Sequence, residues 1–307
     1  MCSVRARKLA GLITWPGRHV TLRSMDRIFI LFQHIVPQHL LSRCTGALAD
    51  LRHPVWLKDW VIARFIRFFG VDMAEAEEPD PTRYPCFNEF FTRPLREGAR
   101  PLVAADILCP ADGAISQLGA ISSGLIFQAK GRYFSAEDLL GGDEVRASQF
   151  NGGQFATIYL SPKDYHRVHM PVAGRLTATC YIPGQLFSVN AVTADNVDRL
   201  FARNERLVCY FDTEYGPMAM VLVGAMVVAG IETVWSGRVA PPPRRPVTVD
   251  YQSLPVPVEL AKGEEMGRFC LGSTVILLFP EGVMSFEESY GAGSLTRMGE
   301  CLGSCHA

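Results

Sequence analysis

Beyond residue 101 the sequence is organised into short runs rich in β-branched and aromatic residues. Gly, Pro, Asn or Asp separates most of these runs, which is the pattern of strands joined by turns. The runs cover residues 155–160, 175–182, 207–212, 218–228, 247–251 and 275–279. Because 48% of the 307 residues are hydrophobic, the chain can bury a large core. We therefore predict a mainly antiparallel β body.

A helical region is predicted ahead of this body. Segment 55–69 follows Pro54 and stops at Gly70, a start and a stop typical of a helix. Its apolar arc is wide and contains three cations, which fits a helix lying in a membrane interface as well as an ordinary surface helix. Segment 28–41 predicts a second helix, broken at Pro37.

The predicted fold class is α+β, in two parts. An acidic, proline-containing stretch at 75–81 predicts a linker. Residues 1–74 are expected to form amphipathic helices that bind a membrane, and residues 75–307 the β-rich catalytic body.

The charge distribution supports an anionic surface as a partner. Residues 1–70 contain eleven Lys or Arg and three Asp or Glu, a net +8 in a chain of net −1. A basic, aromatic-rich end on an acidic body is typical of binding to anionic lipid. We expect no nucleic acid partner, because no nucleic-acid-binding signature accompanies the charge. No segment is apolar for long enough to predict a membrane-spanning helix.

The nine cysteines predict neither a disulfide framework nor a metal site. No C-x-x-C occurs, and the cluster at Cys301 and Cys305 is expected to be a frayed tail, since no second ligand cluster accompanies it. An odd number of cysteines without a framework fits a reducing compartment.

Gly272, Ser273 and Thr274 stand directly before the apolar run 275–279, which predicts a buried strand. Locally, Ser273 is best explained as a turn residue that hydrogen-bonds its own backbone. The alternative is a peptide bond that the protein cuts itself. Glycine lets a hydroxyl approach its carbonyl closely. The Ser273 Oγ could then attack that carbonyl, and the ester could eliminate to a dehydroalanine that hydrolyses to a pyruvoyl group.

Residues 54–305 contain two histidines, His166 and His169. Ser161 followed by Asp164 resembles a helix N-cap, and one helical turn would put both histidines on a common side. Such a pair fits a structural role, a metal site or a catalytic base. Asp112, in a Pro/Gly turn, is by itself an Asx-turn residue, but beside an imidazole it would fix the tautomer, as in an Asp-His-Ser arrangement.

Together these segments resemble the bacterial branch of the phosphatidylserine decarboxylase proenzymes. The motifs are LGST at 271–274, PADG at 110–113 and YHRVHMP at 165–171, with further similar segments at 87–91, 129–131, 187–190, 200–206, 231–235 and 262–269. The resemblance covers roughly residues 45 to 300. Residues 1–25 have no counterpart in the family, and residues 227–230 differ slightly from the sequence usual there.

The resemblance implies a role for each matching residue. Cleavage between Gly272 and Ser273 would give a β chain of residues 1–272 and an α chain of residues 273–307. Ser273 would be the cleavage nucleophile and then the covalent pyruvoyl cofactor. His169 would be the general base that activates Ser273, and Asp112 would orient this base. His166 would act in the decarboxylation, at proton delivery. No metal is implied.

The implied activity is conversion of phosphatidylserine to phosphatidylethanolamine and CO₂. A Schiff base between the pyruvoyl group and the serine amine of the lipid would act as the electron sink. The resemblance further implies a peripheral enzyme on the cytoplasmic face of the bacterial inner membrane, and a homodimer.

Three other functions fit parts of the sequence less well. A pyruvoyl enzyme acting on a soluble amino acid would not need the basic amphipathic helices. A non-catalytic membrane-binding protein would not need Asp112, His169 and Ser273 together. A serine hydrolase would carry Gly-x-Ser-x-Gly around Ser273, and this sequence does not.

Overall fold

The computed structural model describes residues 24–226, 230–239, 245–270 and 273–306. It begins with the helices α1 (Ser24–Ile35), α2 (Gln38–Ala49) and α3 (Val55–Phe69). The break predicted at Pro37 is confirmed, since this residue separates α1 from α2. The predicted bounds of α3 are also confirmed: it ends at Gly70, whose φ of +70° suits a residue without a side chain.

The remaining helices are short. They are a 3₁₀ turn (Pro81–Arg83), α4 (Phe87–Phe91), α5 (Ala136–Leu139), α6 (Glu144–Ser148), α7 (Ala191–Asn196) and α8 (Leu200–Arg203). In the described segments no helix is both long and apolar enough to cross a bilayer.

Strands make up the body, as predicted. They are β1 (Ile107–Leu108), β2 (Gly113–Ala120), β3 (Leu125–Ala129), β4 (Arg132–Ser135), β5 (Gln154–Leu160), β6 (Arg167–His169), β7 (Gly174–Ile182), β8 (Arg206–Thr213), β9 (Gly216–Gly224), β10 (Gly230–Thr233), β11 (Gly237–Arg238), β12 (Val247–Asp250), β13 (Glu259–Leu260), β14 (Glu265–Cys270), β15 (Ser273–Phe279), β16 (Met284–Phe286), β17 (Leu295–Thr296) and β18 (Cys301–Cys305).

The strands form one large sheet and three small ones. The nine-stranded sheet has the order β12-β7-β8-β9-β15-β5-β2-β17, with β13 also paired to β7. The others are a four-stranded sheet (β11-β10-β14-β6), a three-stranded sheet (β1-β18-β16) and the pair β3-β4. The pairs between these strands are antiparallel, so the predicted α+β class with a mainly antiparallel body is confirmed.

Strand β15 lies inside the large sheet, between β5 and β9, and all seven of its residues are buried. Its side chains alternate between two hydrophobic cores. Ile276 and Leu278 belong to one core, and Val275, Leu277 and Phe279 to the other. Because both faces of the sheet are covered here, Ser273 at the start of β15 is buried as well.

Polar side chains of α1, α2 and α3 hydrogen-bond to the backbone of the body. Gln33 of α1 accepts the backbone N–H of Ser188 at 2.7 Å, and Gln38 of α2 accepts that of Leu186 at 2.7 Å. Lys58 of α3 donates to two backbone carbonyls in the 82–84 segment. These hydrogen bonds fix the helices to defined places on the body.

Two expectations from the sequence need revision. The predicted frayed tail is wrong: residues 301–305 form β18, because Leu302 is buried and the strand pairs with β1 and β16 on its two sides. The predicted linker is anchored, since Ala76 is buried and pairs with Leu95. The boundary between residues 74 and 75 itself stays a prediction.

Candidate active site

Four strand ends meet at one edge of the nine-stranded sheet. Ser273, the first residue of β15, pairs with Leu160, the last of β5, and with Gly224, the last of β9. Beyond β5, strand β2 starts at Gly113, directly after Asp112. Since neighbouring strands lie about 4.8 Å apart, Asp112 lies about two strand spacings, or ~10 Å, from Ser273.

From the end of β5, residues 161–166 lead to β6 in the four-stranded sheet, where β6 pairs with β14. The backbone N–H of Phe269 donates to the carbonyl of His166 at 3.0 Å. The antiparallel pairing therefore brings His166 beside the segment that leads into Ser273, 107 residues later in the sequence.

The Ser273 hydroxyl is fully buried, and its Oγ has no hydrogen-bond partner among the described residues. The same holds for Oγ1 of Thr274. Buried hydroxyls are normally hydrogen-bonded, so two adjacent unpaired ones mark an unusual position. The predicted cleavage partner of Ser273, Gly272, lies outside the described residues.

The His166 ring is buried and held as a neutral base. Its Nδ1 lies 2.8 Å from the carbonyl oxygen of Asp164, which can only accept, so the proton is on Nδ1. Its Nε2 carries the lone pair and has no partner within the described part of the chain. The Phe91 ring lies against it, with 3.9 Å between centroids. Burial, together with the charge of Arg93, lowers the pKa of His166 to about 3.

The His169 ring has partners on both nitrogens. Its Nδ1–H donates to the Gly263 carbonyl at 2.9 Å, and its Nε2 accepts the Tyr165 hydroxyl at 3.0 Å. Burial lowers the pKa of His169, while the Gly263 hydrogen bond and the charge of Glu265 oppose that shift. The basic atom of His169 is therefore Nε2.

The Asp112 carboxylate is bound by Arg100 and by the backbone. The Nε of Arg100 lies 3.0 Å from each carboxylate oxygen, its Nη2 donates as well, and the Met298 N–H donates at 2.9 Å. The link to His169 is through the main chain, since the His169 N–H donates to the Pro110 carbonyl at 2.8 Å. The tautomer of His169 is thus held by Gly263, while Arg100 and Met298 bind the carboxylate predicted to orient it.

The helical turn predicted for the histidine segment is wrong. Asp164 accepts from both the backbone N–H and the hydroxyl of Ser161, at 2.7 Å each, and residues 167–169 continue as strand β6. The i, i+3 relation of a helix is thereby lost. The two histidines accordingly have different partners.

Sequence reasoning missed Arg100, Tyr165 and Gly263. Arg100 and Gly263 reach their partners across 12 and 94 residues, whereas Tyr165 is four residues from His169. Tyr165 lies inside the YHRVHMP motif and Gly263 inside the similar segment 262–269, so both had a usable signal. Arg100 had none.

An apolar groove of about 680 Å³ lies between α2 and α3. Its walls are largely aliphatic and aromatic and include Leu48, Leu57, Trp60, Phe65, Phe68 and Phe87. The Phe65 ring also contacts Phe91, with 5.9 Å between centroids, and Phe91 lies on His166. The inner wall of the groove is therefore one aromatic ring away from His166.

Comparison with known proteins gives a consistent result over most of the chain. A family model described as phosphatidylserine decarboxylase matches residues 87–304, and one described as PSD matches residues 28–70. The chain is 59% identical to the phosphatidylserine decarboxylase proenzyme of Stutzerimonas stutzeri, covering 91% of this chain and 94% of that protein. It is 56% identical to the proenzyme of that name from Alcanivorax borkumensis, covering 91% and 96%.

The enclosure of His166 predicts its titration behaviour. We expect its ring to stay neutral from pH 8 down to pH 5, because burial has lowered its pKa to about 3 from the usual 6.5. Long-range ¹H–¹⁵N NMR of the labelled protein should show the Nδ1–H tautomer throughout, with the His166→Gln variant identifying the signals. A His166 ring that takes up a proton near pH 6.5 would contradict the enclosure described here.

Proposed function

The chain belongs to the phosphatidylserine decarboxylase family, and from this premise we propose that it cuts itself between Gly272 and Ser273 and decarboxylates phosphatidylserine at a membrane surface with the pyruvoyl group so formed. The observation that carries the proposal is the Ser273 hydroxyl, buried without a partner among the described residues, at the edge where His166 and Asp112 also lie.

The position of Ser273 supports self-cleavage. Burying a hydroxyl without a hydrogen bond costs about 1–3 kcal/mol of folding free energy. A functional role for the Ser273 hydroxyl would explain why the protein carries this cost. Attack of Oγ on the preceding carbonyl carbon breaks the peptide bond and leaves an ester. Elimination then releases the carboxylate of residue 272, and hydrolysis of the resulting dehydroalanine releases ammonia. Because β15 is paired on both sides, the cut end stays in place.

We assign His169 as the base of the cleavage step. Its Nε2 bears the lone pair, and the Tyr165 hydroxyl now occupies it. To accept the Ser273 proton, this nitrogen must exchange the Tyr165 hydroxyl for the Ser273 hydroxyl. Asp112, whose negative charge favours a protonated His169, would stabilise the imidazolium that results.

We assign His166 to proton delivery during decarboxylation. A pyruvoyl group at residue 273 supplies an electron sink, by condensing with the substrate amine and taking up the electron pair left when CO₂ departs. The adjacent carbon then needs a proton. His166 is neutral in the free enzyme, and an anionic substrate beside it would raise its pKa, so that the proton donor forms where the substrate is bound.

The helices support action at a membrane. Trp56, Trp60 and Phe68 of α3 are 70%, 62% and 72% exposed, a degree that an aromatic residue rarely shows in a soluble domain. Trp60 and Phe68 border the apolar groove, and residues 1–70 carry a net +8. A lipid substrate would explain the exposed aromatic residues, the groove and the positive charge together, whereas a soluble amino acid as substrate would not.

The eight described cysteines form no disulfide, which supports a reducing compartment and hence the cytoplasmic face of the inner membrane. The homodimer implied by the family resemblance stays a prediction.

The mass of the purified protein tests self-cleavage. We expect two chains, residues 1–272 and 273–307, with the smaller one blocked at its N-terminus by the pyruvoyl group. Ser273→Ala should stay in one piece, because it lacks the attacking oxygen. Ser304→Ala is the matched control: it also follows a glycine, lies on an exposed part of β18 and should be cut as the wild type is. A single intact chain in an active preparation would refute the proposal.

The two histidines should separate cleavage from catalysis. His169→Ala should remain uncut, and Asp112→Asn should mature slowly for the same reason. His166→Ala should be cut at least in part, yet decarboxylate about 100-fold or more slowly, a usual loss on removal of an acid–base group. Gel analysis of maturation and CO₂ release from the matured fraction give the two readouts. Equal behaviour of the two alanine variants in both assays would overturn this division of roles.

Membrane binding should have a salt-sensitive and a salt-resistant part. Cations contribute about 1 kcal/mol each near an anionic surface and are screened by salt, whereas apolar burial is not screened in this way. Changing Trp56, Trp60 and Phe68 to Ser should therefore abolish the binding to anionic liposomes that persists at high salt. Val145→Ser, which removes an exposed apolar residue on α6 of the body, is the control. Co-sedimentation that the triple variant leaves unchanged would place the anchor elsewhere.

A further inference from the structure

Arg93 is a buried cation whose donors are largely unused. It is 3% exposed, and its Nε and Nη1 have no hydrogen-bond partner among the described residues. Its Nη2 donates to the Lys163 carbonyl at the long distance of 3.3 Å, and the guanidinium lies 5.5 Å from the centre of the Phe90 ring. Burial lowers the pKa of Arg93, and the charges of Asp112, Asp164 and Glu75 oppose that shift.

Other enclosed arginines of the body are satisfied. Arg100 binds Asp112 and Glu75, and Arg167 binds Glu265 at 2.7 Å. Arg206 donates from all three nitrogens to backbone carbonyls. Removing a charge from water without such partners costs several kcal/mol. The contacts described for Arg93, one long hydrogen bond and the Phe90 ring, offset less of that cost than the ion pairs of Arg100 and Arg167 do.

Three successive residues place Arg93 next to His166. The Phe91 ring lies against the His166 ring. The Thr92 carbonyl accepts the Nε–H of Arg167 at 2.9 Å, and Arg93 itself reaches Lys163. The free guanidinium nitrogens thus share a neighbourhood with His166 Nε2, another buried polar atom without a partner among the described residues.

We propose that Arg93 binds the phosphodiester of the substrate headgroup, an assignment that rests on the proposed function. A cation with free donors beside the reacting group selects an anion, and a phosphatidylserine headgroup offers a phosphate and a carboxylate. The carboxylate leaves as neutral CO₂, so a guanidinium bound to it would stabilise the substrate more than the transition state. The phosphate keeps its charge throughout, so binding it does not oppose the chemical step.

The same contact would prepare His166 for its role. The charge of Arg93 now helps to keep this ring neutral, and a bound phosphate would offset that charge. A phosphate that took up Nη2 as well would replace its hydrogen bond to the Lys163 carbonyl. Residues 161–166 contain neither helix nor strand, and their hydrogen bond to Arg93 is long.

Kinetics of the matured enzyme on detergent-dispersed lipid test the proposal. Phosphatidylethanolamine, the product, retains the phosphate and lacks the carboxylate. Its inhibition constant therefore reports binding of the phosphate without any contribution from the carboxylate. For Arg93→Met we expect normal self-cleavage, because no substrate takes part in it. The KM for phosphatidylserine and the inhibition constant of phosphatidylethanolamine should rise together by about tenfold or more, with a smaller change in kcat. In Arg93→Lys, which keeps the charge, both constants should rise less than in Arg93→Met.

The controls keep the outcomes distinct. Arg96→Met removes an exposed cation three residues away and should leave both constants unchanged. A raised KM with an unchanged inhibition constant would assign Arg93 to the carboxylate and overturn the phosphate assignment. Unchanged constants, or failure of both Arg93 variants to be cut, would also overturn it. A wild-type enzyme that is matured but inactive on phosphatidylserine would instead refute the proposed function.

Discussion

The hydrogen-bonded pairing of β15 with β5 and β9 positions Ser273, the residue around which the candidate site is arranged. Because this strand is buried on both faces and paired along both sides, its first residue has a defined place at the sheet edge. The same register aligns the start of β2, and so Asp112, with the end of β5. A cut in front of β15 would leave all of these pairings intact, which lets a chain be broken at its active site without losing the site.

A polar network ties the two predicted chains together around that edge. Arg100 joins Glu75 to Asp112, Arg297 also binds Glu75, and the Met298 N–H binds Asp112. Arg297 and Met298 belong to the segment after the predicted cut, whereas the other three precede it. With strands β15 to β18 also embedded in sheets of the body, the small chain would remain attached through both the backbone and these charges.

Exclusion of water gives the site its chemical character. Burial keeps His166 neutral, and within the described ranges the Ser273 Oγ and the Nε and Nη1 of Arg93 have no hydrogen-bond partner. Polar groups held in this way interact strongly with whatever anion or reacting carbonyl reaches them. Aromatic contacts run from His166 through Phe91 to Phe65, which lines the apolar groove beside α3.

The sequence by itself determined the features that local chemistry controls. It determined α3 with both of its ends, the break at Pro37, the buried strand after Ser273 and the motifs that resemble one enzyme family. Only the tertiary structure decided which groups meet. It placed 301–305 in a sheet, paired His169 with Gly263 and Tyr165 and Asp112 with Arg100, and left two nitrogens of Arg93 without a partner among the described residues. Those outcomes depend on strand register between segments far apart in the chain, and local patterns of hydrophobicity carry no information about register between distant strands.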